Sequence, residues 1–378
     1  MNISRHPVEK VPLLDLGPLH AALRKDIDQA IASVIDSNTF VQGEAVDRFE
    51  QKAARYLRVP HAIAVASGTD ALLLALVAAG IGRDDEVITT AYTFFGTVEA
   101  ILHTGATPVF ADIDPESMTI DPKHVESLVS PKTRAILPVH LFGQPAHMKE
   151  LLAIAGRRDL VVIEDAAQAF GARLGEQPVG SFGLAGCFSF HPSKPLGGIG
   201  DGGLITTREA SFAEKLRALR NHGSQIRNRH AAVGFNSRLD SVQAAVLAVK
   251  LDHYPEHLAQ RRQLAENYSR LLAGTALHLP ATFPDRLHCF AQYTVRSPHR
   301  DRLHAALAVA GIDSAIHYPL PLYRQPAIAQ RFSEGFELPV TETVCAQCLS
   351  LPLYPGLNER QQQRVGTVLA TTLAAEKN

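Results

Sequence analysis

Lys194 lies in the run Ser189-Phe190-His191-Pro192-Ser193-Lys194-Pro195-Leu196-Gly197-Gly198-Ile199-Gly200-Asp201-Gly202-Gly203. Two small apolar stretches flank it, Gly186 to Phe190 and Gly203 to Thr206, and both read as strands. A lysine amine attacks a carbonyl only after losing its proton, and glycine-rich backbone beside it lets a ligand come close. That is the setting of a Schiff-base lysine. A solvated loop lysine fits the same run equally well.

A second segment tips the balance. Val161-Val162-Ile163-Glu164-Asp165-Ala166-Ala167-Gln168-Ala169-Phe170-Gly171 is an apolar strand that ends in acids and runs into small residues. Ligands of open parallel sheets gather at such strand ends. A carboxylate at Asp165 suits the ring nitrogen of pyridoxal phosphate, whose protonated ring is an electron sink, although Asp also serves as a helix N-cap. A third segment, His61 to Leu72, is a strand, a small polar turn and an apolar helix. The free N–H groups and hydroxyls at such a helix start bind phosphate, or simply cap the helix. Together the three segments cover one cofactor: Lys194 for the aldehyde, Asp165 for the ring nitrogen, and Gly68, Thr69 and Ser189 for the phosphate.

These residues need a scaffold that ends several strands at one edge. Apolar, β-branched runs recur at Ala62 to Ala66, Glu86 to Thr90, Pro108 to Ile113, Arg134 to Val139, Leu160 to Asp165, Gly186 to Phe190 and Gly203 to Thr206. Helical stretches stand between them, including Asp70 to Ala79, Phe95 to His103 and Ala146 to Ala155. That rhythm predicts an α/β fold with a mainly parallel seven-stranded sheet covered on both faces. From Ser237 the pattern turns helical, with Ser237 and Asp240 spaced as a capping box before Ala244. A second helix is predicted over Pro255 to Leu272, then short strands at Gln292 to Arg296 and Ser314 to His317. Helices over Asp301 to Ala310 and Asn358 to Ala374 complete the pattern. A chain of 378 residues exceeds one comfortable core. The expected division is a large domain, 1–250, and a smaller C-terminal α/β domain, 251–378.

Lys and Arg number 37 against 38 Asp and Glu, so no global field draws nucleic acid or an anionic membrane. An anionic substrate must be held by a local pocket. Cys187, Cys289, Cys345 and Cys348 are too few for a disulfide framework, and Cys345 and Cys348 have no second pair to complete a zinc site. They read as reduced, packed thiols, and no metal is expected. Arg5, Glu9 and Lys10 interrupt any apolar signal core, and no apolar run reaches membrane-spanning length, so a cytoplasmic location is expected.

With Ser67-Gly68-Thr69-Asp70-Ala71-Leu72, Glu164-Asp165-Ala166-Ala167-Gln168, Lys194 before Gly200-Asp201-Gly202-Gly203, Asn236-Ser237-Arg238-Leu239-Asp240 and His317-Tyr318-Pro319 in one chain, the sequence resembles a known family. It is similar, over nearly its whole length, to the sugar-nucleotide aminotransferases of the DegT/DnrJ/EryC1/StrS family, within the aspartate aminotransferase superfamily of fold type I. The resemblance implies pyridoxal 5′-phosphate as cofactor and a homodimer with shared sites. It implies that Lys194 carries the cofactor and later the transferred proton, that Asp165 pairs with the pyridinium nitrogen, and that Gln168 sits near the ring oxygen. Phe94 falls where the family stacks an aromatic on the ring. Ser67, Gly68, Thr69 and Ser189 would hold the phosphate, with Asn236 reaching across the dimer to the neighbour's phosphate. Arg238, His317 and Tyr318 would approach the sugar, and the N-terminal segment would pack on the small domain. Position 191, usually aromatic in the family, is His191 here.

The resemblance also implies an amino-acid donor, glutamate, and a keto sugar nucleotide acceptor. The runs around Lys194, Asn236, Tyr293 and His317 look most like the branch that aminates C3 of UDP-linked 2-acetamido-3-keto-glucuronic acid, in polysaccharide or O-antigen sugar biosynthesis. Arg238 would give the uronate a forked cation. Relatives acting on dTDP-linked 3-keto-6-deoxy sugars are the runner-up. Other classes fit less well. Gly198 to Gly203 matches GxGxxG, but a strand follows where a dinucleotide fold needs a helix. A sugar dehydratase of the family has histidine at the lysine position, and a regulatory homologue has no need of the intact set around Lys194. His140, at another strand end, reads as structural.

Overall fold

The computed structural model describes residues 10–226, 228–332 and 337–375; Arg5 and Glu9 lie outside them. Alternation along the strands shows how the layers are built. In β1 (His61–Val65) Ile63 and Val65 enter one core, while Ala62 and Ala64 enter another on the opposite face. Side chains that point alternately up and down bury both faces of a strand only when helices cover both.

The other principal strands are β2 (Glu86–Thr90), β3 (Thr107–Ala111), β4 (Thr133–Ile136) and β5 (Val161–Asp165). After a short outer hairpin, β6 (Arg173–Leu174) and β7 (Gln177–Pro178), come β8 (Ala185–Ser189) and β9 (Gly203–Thr207). The seven-stranded sheet has the order β1-β9-β8-β5-β4-β2-β3. It is parallel from β8 through β3, and β9 runs antiparallel to both of its neighbours. Helices Gly68–Ala78, Phe95–Thr104 and Ala210–Leu219 pack on one face, and Glu44–Tyr56, Met148–Arg158 and the first half of Ser241–Leu271 on the other. The parallel strands β2, β4, β5 and β8 therefore finish along one edge, where their following loops converge.

A second core surrounds the antiparallel ribbon Tyr293–Arg296 and Cys348–Leu351, covered by helices Arg300–Val309 and Glu359–Ala374 and joined by Val11. Helix Ser241–Leu271 serves both cores: Leu247, Leu251, Tyr254 and Leu258 belong to the sheet side, and Ala265 and Tyr268 to the ribbon side. Residue 250 falls inside this helix.

Several local expectations are corrected. The two helices expected around Pro255 are one, because Pro255 faces solvent while Tyr254 and Leu258 beside it are buried, and that packing outweighs the hydrogen bond a proline removes. Ser237 caps no helix: its Oγ donates to Asp70 Oδ2 at 2.7 Å, and Asp240 at the helix start makes no side-chain cap. The strand expected over Ser314 to His317 reduces to one bridge, Ala315 to Ser350. Regular strand β4 ends at Ile136, yet pairing runs on to the expected Val139: Leu137 N–H donates to the Ile88 carbonyl and Val139 bridges Asp165, with Pro138 between them lacking an N–H. All four cysteines are buried and free.

Candidate active site

Asp165 closes β5 and is 4% exposed. Its Oδ2 accepts from Thr97 Oγ1 at 2.7 Å and its Oδ1 from the Ala167 N–H at 3.1 Å. Thr93 Oγ1 backs Thr97 at 3.1 Å. Burial raises the Asp165 pKa; the bonds from Thr97 and Ala167 and the charge of Lys194 oppose that rise. Lys194 is held in the opposite sense. Burial lowers its pKa, only partly offset by Asp165, and a lowered ammonium pKa makes the free amine more available.

The turn after β1 meets this pair because glycine allows it. A Cβ on Gly68 would lie 2.7 Å from the Ser189 Cβ, and one on Gly203 would lie 2.2 Å from the Ser67 carbonyl oxygen. Ser67 Oγ accepts from the Asp70 N–H at 3.1 Å, fixing the start of helix Gly68–Ala78. Phe94 precedes helix Phe95–Thr104 in extended backbone and is 56% exposed. Gln168 Oε1 accepts from the Phe142 N–H at 2.8 Å while its Nε2 donates to the Tyr318 hydroxyl at 3.2 Å, so the side chain is fixed from both ends. His317 Nδ1 lies 3.0 Å from Ser350 Oγ, which lies 2.8 Å from Thr294 Oγ1. The Tyr92 hydroxyl donates to the His317 carbonyl at 2.6 Å. Burial, and then the charge of Lys194, lower the His317 pKa, and burial pushes the Tyr318 phenol up to about 12.

These groups line one cavity of about 450 Å³. Ser67, Gly68, Thr69, Phe94, Asp165, Gln168, Ser189, Lys194, His317 and Tyr318 are all on its wall; Asn236 and Arg238 are not. Asn236 is exposed and pairs with Asn221 through a backbone bridge, and the Arg238 Nη1 donates to Asn221 Oδ1 at 3.3 Å. Thr97, Thr93 and Gln292 line the cavity without having been singled out in the sequence, and a threonine or glutamine gives no local signal of its contacts. His191 is on the wall as a polar neighbour of Lys194, its Nδ1 2.9 Å from Ser193 Oγ. His140 is buried and structural. Its Nδ1 accepts from the Ala146 N–H at 3.0 Å, which leaves Nε2 to donate to Glu164 Oε2 at 3.0 Å. Among the described residues, no group of three His, Cys, Asp or Glu is placed to hold a metal ion, and no helix is long and apolar enough to cross a membrane.

Comparison with known proteins gives the chain its family. The model of the DegT/DnrJ/EryC1/StrS aminotransferase family matches residues 21–370. The chain belongs to this family. Among its relatives is a pleiotropic regulatory protein of Geobacillus stearothermophilus, 47% identical over 94% of this chain and 96% of the other. Two are 43% identical over 96% of this chain: the UDP-N-acetyl-3-dehydro-α-D-glucosamine 3-aminotransferase of Acidithiobacillus ferrooxidans, covered to 98%, and the dTDP-3-amino-3,4,6-trideoxy-α-D-glucose transaminase of Streptomyces venezuelae, covered to 96%. The UDP-2-acetamido-2-deoxy-3-oxo-D-glucuronate aminotransferase of Pseudomonas aeruginosa is 39% identical over 92% of this chain and 96% of its own. Of solved structures, S. venezuelae DesV in complex with a ketimine intermediate has a TM-score of 0.94 at 42% identity, covering 96% of this chain and 98% of that one. NtdA from Bacillus subtilis with bound cofactor PMP has a TM-score of 0.91 at 31% identity, covering 98% and 86%.

The chain is thus a sugar aminotransferase of the fold that its sequence pattern predicted, and its cofactor is pyridoxal 5′-phosphate. The cavity fits that group. Phe94 leaves a large apolar ring bare at the cavity, Asp165 offers a buried carboxylate, and the glycines bring the first amides of helix Gly68–Ala78 within reach of an anion.

Proposed function

We propose that this aminotransferase moves the amino group of an amino acid, with L-glutamate as donor, onto the C3 ketone of a nucleotide-linked sugar, working as a cytoplasmic homodimer. The observation that carries the reading is the pairing, in one cavity, of a lysine biased toward its free amine with a buried carboxylate fixed by Thr97. Bound there, pyridoxal phosphate supplies an aldehyde that takes up and releases the amino group and a ring that withdraws electrons. Lys194 would hold the group through its aldehyde and, as a free amine, would move the proton at the substrate carbon. Asp165 would meet the ring nitrogen and keep positive charge there. Phe94 stacks on the ring, worth roughly 0.5–1.5 kcal/mol beyond burial. Gln168, fixed by Phe142 and Tyr318, would offer its remaining N–H to the ring oxygen. Ser67, Gly68, Thr69 and Ser189 bind the phosphate, joined by Asn236 of the partner subunit. His317 and Tyr318 meet the sugar. Phe40, Val41, Ile226 and Val233, large apolar side chains left exposed, support burial of this region against a second copy.

The names of the three sugar-nucleotide relatives support a C3 ketone and offer three acceptors, of which the UDP-linked uronate and the dTDP-linked 6-deoxy sugar are weighed first. Arg238, a fork held near Asn221 and outside its own cavity, favours the UDP-linked uronate as the substrate it meets in the partner's site. The higher identity to the dTDP-sugar transaminase favours the 6-deoxy sugar. A panel of both, with UDP-3-keto-N-acetylglucosamine, decides between them. Arg238→Lys keeps the charge and loses the fork, so it should raise KM for the uronate roughly tenfold more than for the 6-deoxy sugar. Equal losses, or a wild-type preference for the dTDP sugar, reject the uronate. Borohydride reduction and peptide mapping should find the cofactor on Lys194.

A further inference from the structure

A second chamber of about 140 Å³ adjoins the cofactor cavity and shares Lys194, Gln168, Gln292 and His317 with it. One water needs only ~10–15 Å³ of such space, so the chamber takes a small organic molecule but not a sugar nucleotide. Its far wall includes Arg261 of helix Ser241–Leu271 and Leu14. Arg261 is 3% exposed. Its Nη1 donates to the carbonyls of Phe290 and Leu353, each at a long 3.3 Å, and its buried Nε has no hydrogen-bond partner. Among the described residues no carboxylate lies within ion-pair distance of it. Gln292, on the shared wall, also keeps a buried Oε1 without a partner. Lys250, 4% exposed, lines the adjoining narrow cleft with Arg261 and bonds the Gly197 carbonyl at 2.8 Å and His20 Nε2 at 2.9 Å, again without a carboxylate. Asp15 borders that cleft, but its Oδ1 is taken by the Gly17 N–H.

A guanidinium withdrawn from water is costly unless an anion faces it, and its fork matches a carboxylate through two parallel N–H bonds. We propose that this chamber is the subsite for the amino-acid donor, with Arg261 binding one of the donor's carboxylates and Gln292 Oε1 accepting from its amino group. The inference rests on the donor half of the function proposed above. The donor arrives as an amino acid and leaves as its 2-oxo acid, its amino group retained at the active site, so the same carboxylate contact serves entry and exit.

Glutarate, a dicarboxylate with no amino group to give, tests the subsite without turnover. Calorimetric titration of the holoenzyme should show glutarate binding at least tenfold weaker in Arg261→Lys and Arg261→Met. In steady-state assays KM for glutamate should rise at least tenfold more than KM for the sugar nucleotide. Leu14→Glu leaves the backbone contacts of Arg261 in place and sets a carboxylate in the chamber. It should weaken glutarate to the same degree, and it keeps the test decisive if the Arg261 variants do not fold. A change under twofold in a folded Leu14→Glu or Arg261→Lys enzyme overturns the proposal and leaves Arg261 as a clamp on two carbonyls. A wild-type enzyme that binds glutarate through Arg261 yet aminates no sugar nucleotide upholds the subsite and overturns the proposed function instead.

Discussion

The charge on Asp165 depends most directly on Thr97, whose hydroxyl is 2.7 Å from the carboxylate. A hydrogen bond to an ionised group contributes about 1.5–3 kcal/mol. Thr97→Val should therefore lower kcat roughly ten- to a hundredfold. It should also move the acid limb of the kcat/KM profile to higher pH, since losing a donor to the ionised form raises the carboxyl pKa further. Thr97→Ser should restore both, and an unmoved acid limb in the valine variant would show that Thr97 only packs. His288 carries a different pH dependence. Burial, and secondarily the charge of Arg262, push its pKa down to about 3 from 6.5. Its ring lies flat against Phe290, centroids 3.9 Å apart, and its Nδ1 accepts from the Phe290 N–H at 2.9 Å. The unfolded chain binds a proton below pH 6.5 that the folded chain refuses until about pH 3. The stability this neutral ring confers is thus complete above pH 6.5 and lost as pH falls toward 3, at about 1.4 kcal/mol per unit. Urea unfolding of His288→Asn should show its deficit against wild type shrinking from pH 7 to pH 4; parallel curves would mean that His288 does not titrate. Lys194, Asp165 and the Ser67 turn were legible in the sequence because each is a polar group in apolar or glycine-rich surroundings. Thr97 and Arg261 were not, because their partners come from residues distant in the chain, and Gln292 gives no local signal of the cavity it faces.

At the scale of elements, Glu164 joins β5 to the loop that leads into β8. Its Oε1 accepts from the Phe182 and Gly183 N–H groups at 2.8 and 2.9 Å, and its Oε2 from the Gly180 N–H at 2.7 Å and from His140. An amide in its place has one acceptor oxygen and turns an NH₂ toward donors. Glu164→Gln should cost about 2–5 kcal/mol, read as a drop in the chemical-denaturation midpoint. A midpoint within error of wild type would show that the loop holds itself. The principal sheet strands were visible as β-branched runs between helical stretches, because burial on both faces writes itself into sequence as unbroken apolar runs. Boundaries were blurred where tertiary contacts decide them. Helix Ser241–Leu271 passes through Pro255 because Tyr254 and Leu258 are anchored on either side, and Ser237 turns away from its expected cap because Asp70 comes to meet it from another part of the chain. Nothing local signals either event.

For the whole molecule, the placement of Asn236 outside its own cavity gives a complementation test. Mixed dimers of Lys194→Ala and Asn236→Ala chains should regain activity, since half of the mixed sites draw both intact groups from opposite chains. If Asn236→Ala alone is impaired and the mixture exceeds neither parent, the sites are not shared. Assembly within one chain has its own order. Strand β1, which leads into the Ser67 turn, gains its sheet partner only from β9, with His61 opposite Thr207, and Lys194 lies just upstream of β9. During synthesis β1 emerges early and waits as an unpaired apolar segment until most of the large sheet has been made. Such a late, non-local closure is slow and exposes strand edges in the meantime. The Ser67 turn and the Lys194 loop come together only with that closure, so a nascent chain completes this cavity after β9 has left the ribosome and not before. Scarcity of the vitamin during translation would then leave a folded sheet waiting for its ligand rather than a chain arrested partway through folding.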